Sequence, residues 1–276
     1  MKAIRYDQIF IRNEGLIEDQ NALRLATIAI AGCGREGGSA AIALARMGIC
    51  RFRLADPDTV SVVNLNSQSG ARFSTIGRNK AVVIAEEIMD INPEAEIVVK
   101  TCGINNDNVA DFVRGASIAI DAIDYHSPHL SLIFHRISRS LGVTVLVAVS
   151  AAWNSYLFKF VPNGLTFERY IGLRDDCHPD DALQSPISLL AFCPEPPAYV
   201  SVALVKKILR DKADIPAVAP AVNMTGAILA AAIYFELSGV KVLRSVPDYY
   251  ATGDLFYSKP RRVPLWKKIL FRLLGG

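Results

Sequence analysis

"TIAIAGCGREGG", residues 27–38, decides how the rest of the chain is read. A β-rich run of alternating Ile and Ala leads into Gly32, Gly34 and Gly37 at G-x-G-x-x-G spacing. A helical pattern of small and apolar residues, "GGSAAIALARM" (37–47), follows at once. Strand, glycine loop and helix in that order make a phosphate cradle. The glycines serve a tight turn, a close approach of backbone to the anion, and the packing of helix on sheet. The free N–H groups of the helix's first turn then face the anion. Asp56 closes the next β-rich run, "RFRLAD" (51–56), where a carboxylate can accept from a ribose hydroxyl. The pairing predicts an adenosine-containing ligand. Arg35 interrupts an otherwise ordinary loop.

Outward from this loop, short β-rich runs alternate with helical ones. "NKAVVIAEEIMD" (79–90) reads as a helix closed by Asn92-Pro93, "EIVVKT" (96–101) as a strand, 106–114 as a helix, and "SIAIDAID" (117–124) as a strand. "LSLIFHRISRSLG" (130–142) is a helix ending on glycine, and "VTVLVAV" (143–149) a further strand. Such alternation predicts an α/β, doubly wound, Rossmann-like sheet, mainly parallel, with helices on both faces. After residue 150 the pattern changes. "SYLFKFVPNG" (155–164) predicts an antiparallel addition, 174–198 a long crossover loop, and 199–211 and 220–238 two helices. We read 1–276 as one domain: a lead-in (1–26), a nucleotide-binding core (27–150), a crossover and C-terminal region (151–260), and a basic amphipathic tail (261–276).

Composition bounds the function. Apolar residues make up 51% of the 276, enough for a sizeable core, and the formal net charge of +3 carries no global signature of nucleic-acid binding. The five cysteines form no C-x-x-C pair, so neither a structural zinc site nor a disulfide scaffold is expected, and a cytoplasmic location fits. The N-terminus lacks the apolar region of a signal peptide. The apolar stretch 217–237 contains Pro220, Asn223, Thr225 and Glu236, which favours a buried helix over a membrane span.

Further phrases follow the loop: "DPDTVSVVNLNSQ" (56–68), "TIGRNKA" (75–81), "DINPE" (90–94) and "DAIDY" (121–125). In this order they resemble the ThiF/HesA/MoeB superfamily, the adenylating fold of ubiquitin-activating enzymes. The resemblance covers about residues 5–170. It implies an ATP- and Mg²⁺-dependent adenylyltransferase that acts as a homodimer and activates a carboxylate as an acyl-adenylate. Under it, Gly32, Gly34 and Gly37 form the phosphate loop and Asp56 holds the ribose. Asn64, Ser67 and Gln68 belong to the loop beside the phosphates, and Lys80 neutralises their charge. Asp124 positions Mg²⁺ and the attacking carboxylate. Arg12, or else Arg5, reaches into the partner's ATP site.

The chain departs from the resemblance at two places. The family usually has glycine at the position of Arg35 and arginine at the position of Ser67. Either Arg35 restores the missing phosphate contact, reaching toward Ser67 and Lys80, or it points to solvent beside a decayed site, or its larger side chain obstructs the phosphates. Cys177 and Cys193 lie where some relatives carry a thioester-forming cysteine; we read both as non-catalytic. His126, His129 and His135 are read as structural or surface residues. The tail, "RRVPLWKKILFRLLGG" (261–276), is expected to pack on its own dimer rather than on a membrane. The expected substrate is a ubiquitin-like protein or precursor peptide, not nucleic acid. The alternatives are a peptide-tailoring or dehydrating relative, in which adenylation drives a cyclisation, and a pseudoenzyme that uses the fold for binding.

Overall fold

The computed structural model describes residues 6–184, 189–194, 200–211 and 215–252. Arg5, parts of the expected crossover loop (185–188 and 195–199) and the basic tail at 261–276 lie outside these residues. Seven strands form one sheet among the described residues: β1 Thr27–Ala31, β2 Arg51–Ala55, β3 Glu96–Lys100, β4 Ile118–Asp121, β5 Val145–Ala151, β6 Asn154–Phe160 and β7 Tyr249–Ala251. Their order is β3-β2-β1-β4-β5-β6-β7. Pairing is parallel through β5 and antiparallel at β6 and β7. The fold is therefore the expected mixed α/β, Rossmann-like sheet with antiparallel additions.

The helices are α1 Tyr6–Ile9, α2 Gln20–Leu25, α3 Arg35–Met47, α4 Lys80–Ile91, α5 Val109–Val113, α6 Pro128–Ser140, α7 Phe167–Tyr170, α8 Asp181–Gln184, α9 Leu189–Phe192, α10 Val202–Asp211 and α11 Ala219–Ser238. Period-two alternation assigns the sheet's two faces. Ile28 and Ile30 of β1, Phe52 and Leu54 of β2 and Leu146 of β5 face α3, α4 and α11. Ala29, Ala31, Val145 and Val147 share the other face with α5 and α6, where Tyr156 and Phe158 pack on Tyr249, and Phe158 also on Tyr170 and Phe192. Because both faces are covered, the parallel strands read as near-continuous apolar runs.

Small residues set the closest helix contact. α11 packs along α3, and a Cβ added at Gly226 would lie 2.7 Å from the Ser39 backbone carbon. α11 is long and apolar enough to cross a membrane. Its Ala221, Val222, Leu229 and Ile233 are buried against the domain, as the polar insertions in its sequence predict. α4 begins where the Asn79 side chain accepts from Val82 N, and α6 begins at Pro128, a residue that fits a helix start.

Candidate active site

The chain runs from β1 outward to β2 and β3, then returns to lay β4 on the other side of β1. The connections at the C-terminal ends of β1 and β4 therefore diverge and open a crevice, the place where open α/β sheets bind ligands. A cleft of about 470 Å³ lies there, within the range of small-molecule sites. The glycine loop, the end of β2, the first turn of α4 and the segment after β4 line it. Val147, Val149, Phe167, Phe192 and Ile215 also line it.

Two loop glycines are fixed by the fold and one is not. Gly32 has φ +94°, and a Cβ there would sit 2.0 Å from the Ala122 carbonyl oxygen. A Cβ on Gly37 would sit 1.8 Å from the Gly32 carbonyl oxygen. At Gly34 the nearest atom to an added Cβ is Gln68 Nε2 at 3.8 Å. Gly34 thus keeps open a space that no protein atom fills, directly before the N–H groups of α3. That is where a phosphate approaches such a helix.

The end of β2 is tied to the loop. Asp56 is buried, and its two oxygens accept from Cys33 N at 2.6 Å and from Asp58 N at 2.8 Å. Burial pushes its carboxyl above the ordinary carboxylate range, against the pull of these two N–H groups and of Lys80. Asn79 donates to the carbonyls of Asp56 at 2.9 Å and Asp58 at 3.1 Å, fastening the first turn of α4 to β2. Lys80, the first residue of α4, lines the cleft and holds Asp58 Oδ2 at 2.8 Å. The sequence reading assigned no role to Asp58 or Asn79, although both lie in quoted phrases, "DPD" and "RNK".

After β4 the chain turns on Asp121. Its Oδ1 accepts from Ile123 N at 3.0 Å, and its Oδ2 lies 3.1 Å from His135 Nε2. His135 is buried and stacks on Phe167 with ring centroids 4.2 Å apart. The pair shapes the turn that delivers Asp124, whose exposed carboxylate lines the cleft and accepts from His126 N at 2.8 Å. His126, read from sequence with His129 and His135 as a structural or surface residue, also lines the cleft. Glu36, Asp56, Asp58, Asp121 and Asp124 line the cleft against two cations, Arg35 and Lys80. A bare polyphosphate would meet an excess of like charge; one carrying a divalent cation would not. Among the described residues no group of three or more His, Cys, Asp or Glu side chains could hold a metal unaided. The donor set fits Mg²⁺, which binds through one or two carboxylates plus substrate phosphates.

Other expected residues lie elsewhere. Gln68 lines the cleft, but Asn64 and Ser67 are not among its lining residues. Asn64 Oδ1 accepts from Ser61 N and Oγ, capping its own turn, and the Ser67 hydroxyl donates to Asn66 Oδ1 at 2.9 Å. Arg12 is exposed on the turn whose Asn13 donates to the Met47 carbonyl, at the far end of α3. Thirteen residues of helix put that end about 20 Å from the glycine loop. Burial raises the thiols of Cys33, deep in the loop, and Cys193, which disfavours thiolate at both. Cys177 Sγ lies 3.6 Å from Arg136 Nη2. Arg35 lines the cleft, yet its hydrogen bond runs to the Ile215 carbonyl oxygen at 2.8 Å. Among the described residues no hydrogen bond or ion pair joins it to Ser67 or Lys80, the partners expected of it.

The ThiF family profile matches residues 7–261. The chain belongs to the ThiF family. A tRNA threonylcarbamoyladenosine dehydratase of Escherichia coli is 43% identical to this ThiF-family chain over 118 residues, 41% of the chain and 44% of the relative. A molybdopterin-synthase adenylyltransferase of Salmonella typhimurium is 31% identical over 121 residues, 44% of the chain and 49% of the relative. Each match therefore spans less than half of the curated relative. The solved structure of the E. coli tRNA N6-threonylcarbamoyladenosine dehydratase, TcdA, superposes with a TM-score of 0.62 at 22% identity. It covers 84% of this chain and 95% of that one. At that identity the likeness speaks for the fold.

Proposed function

We propose that this protein uses ATP to adenylate a carboxylate and that the adenylate is consumed by an internal nucleophile of the same substrate, a net dehydration. The observation that carries the reading is the cleft at the β1/β4 switch point. There a glycine loop opens onto a helix N-terminus, and Lys80 and the exposed carboxylate of Asp124 line the same cleft. The carboxylate attacks the α-phosphorus and pyrophosphate leaves; the nucleophile then attacks the acyl carbon and AMP leaves. The oxygen lost from the carboxylate departs in AMP.

Each residue has a stated task. The backbone N–H groups at the start of α3 and the Lys80 ammonium bind phosphate oxygens, lowering the barrier by neutralising the charge on departing pyrophosphate. Asp56 accepts from a ribose hydroxyl with the lone pairs left over from Cys33 and Asp58. Asp124 would hold Mg²⁺, which would supply charge shielding between the phosphates and the cleft's carboxylates. Arg12 is too far from its own cleft to act there, so its task is in the cleft of a partner in a homodimer.

The substrate class follows the dehydratase relatives' names: a threonylcarbamoyl-adenosine carboxylate carried on tRNA. This replaces the ubiquitin-like protein or precursor peptide expected from sequence. The test is ATP–pyrophosphate exchange with the full chain, using tRNA from a strain that accumulates the uncyclised nucleoside and, separately, a peptide pool. Exchange with tRNA and loss of one water from the nucleoside by mass spectrometry support the reading. Exchange with peptide alone would move the substrate to the peptide class, and exchange with neither under saturating MgATP would remove the activity.

A further inference from the structure

Arg35 is the chain's own departure from its family, and its surroundings give it a second connection. It opens α3 beside Gly34, lines the cleft, and is about a quarter exposed (26%). One of its five N–H donors is spent on the Ile215 carbonyl oxygen, 180 residues away in sequence. Its Nε lies 3.9 Å from Glu36 Oε1, and that oxygen accepts from Ser150 N at 3.2 Å and Ser150 Oγ at 2.5 Å. Two residues past Ser150, Ala152 has φ +54° and forms a parallel bridge with Ala217. Ala152 N donates to the Pro216 carbonyl at 2.7 Å, and Val218 N donates to the Ala152 carbonyl at 3.1 Å. Arg35 and Glu36 therefore fasten the phosphate-side helix to both halves of one clasp, the β5–β6 turn and segment 215–218. Ile215 lines the same cleft.

We propose that Arg35 is a positioning residue that bridges nucleotide and wall: one edge of its guanidinium keeps the Ile215 carbonyl while another takes a phosphate oxygen, so that nucleotide binding tightens segment 215–218. Arginine suits the task because its planar fork offers donors in several directions, whereas an ammonium is a point donor. Glu36 lies beside the guanidinium and limits how far it swings. The Ile215 wall of the cleft is then held more tightly when nucleotide is present. By linkage, whatever orders that wall in turn favours nucleotide binding. The proposal rests on the reading of the cleft as an ATP site and names a residue that couples its phosphate loop to segment 215–218.

The test uses the full chain, α,β-methylene-ATP with Mg²⁺, calorimetry, and residue-resolved hydrogen exchange at the amides of Ala152 and Val218. In the wild type, saturating analogue should slow exchange at both amides by roughly tenfold, the loss of one charge-assisted contact's worth of opening. Arg35→Ala should bind the analogue roughly tenfold more weakly and show no slowing at saturation. Arg35→Lys keeps the charge, so it should bind within a few fold of wild type and still show no slowing. Equal slowing in either variant, or faster exchange in the wild type, overturns the bridge. A wild type that binds no analogue overturns the nucleotide reading beneath it, which the calorimetry reports separately.

Discussion

Asp124 is the residue on which the proposed chemistry turns, and its setting makes a clean test. Its one described side-chain hydrogen bond is local, to His126 N, and an asparagine oxygen could accept it equally well. Asp124→Asn should leave the melting temperature near wild type and lower adenylate formation by at least about a hundredfold, the scale for removing one preorganised charge contact. Normal exchange with unchanged Mg²⁺ dependence would take Asp124 out of the mechanism. The loop glycines give a second contrast. Gly32→Ala drives a Cβ into the Ala122 carbonyl and should destabilise the fold by on the order of 4 kcal/mol in urea titrations. Gly34→Ala meets only the Gln68 side chain and should cost within about 1 kcal/mol, while weakening ATP binding. Asp56 adds a pH signature. Its carboxyl is raised in the folded state, chiefly by burial, so the folded protein holds that proton more tightly than the unfolded chain. The stability this contributes is fully present below the ordinary value of 3.8 and is lost as pH rises through the raised value. The stability of wild type minus that of Asp56→Asn should therefore fall as pH climbs from 3.8 through that window; a difference that grows would reverse the assignment.

Among the elements, the pair α3 and α11 holds the phosphate loop at its height above the sheet. Gly226→Ala should separate them and cost about 1–3 kcal/mol by denaturant titration, with weaker nucleotide binding as a consequence. The parallel strands were legible in sequence because burial on both faces leaves an apolar run with little interruption. β6 was legible as an antiparallel addition because "SYLFKF" follows β5 at hairpin distance. β7, Tyr249–Ala251, was not: three residues at a sheet edge carry too short a pattern, and only pairing with Tyr156–Phe158 defines them. The helix expected at 106–114 is shorter, Val109–Val113. The Asn105 and Asn108 side chains accept N–H bonds in the preceding turn instead. α3 starts two residues before the expected Gly37, because the phosphate loop is itself the helix's first turn. Within the site, the glycines, Asp56, Lys80 and Asp124 were readable from local phrases. The bond from Arg35 to Ile215 joins positions with no local relation, and no pattern in sequence announces it.

For the whole molecule, Arg12 lies on the turn tied to the far end of α3, so the role proposed for it requires a second copy of the chain. If Arg12 serves a partner's cleft, Arg12→Ala and Asp124→Asn should each be inactive as homodimers. Mixed after mild unfolding and refolding, they should regain up to about a quarter of wild-type activity, because one heterodimer site has both groups intact. Dimers that form on mixing yet stay inactive would remove Arg12 from the partner's cleft, and an active Arg12→Ala homodimer would place it outside the reaction. All of this presupposes that the crevice between β1 and β4 takes ATP rather than a dinucleotide, which the glycine loop alone would also suit. Calorimetric titration of the full chain with MgATP and with NAD⁺ decides it. MgATP should bind at least about tenfold more tightly than NAD⁺, and Lys80→Ala should remove most of that advantage. Saturable NAD⁺ binding with no MgATP binding would contradict the proposed site.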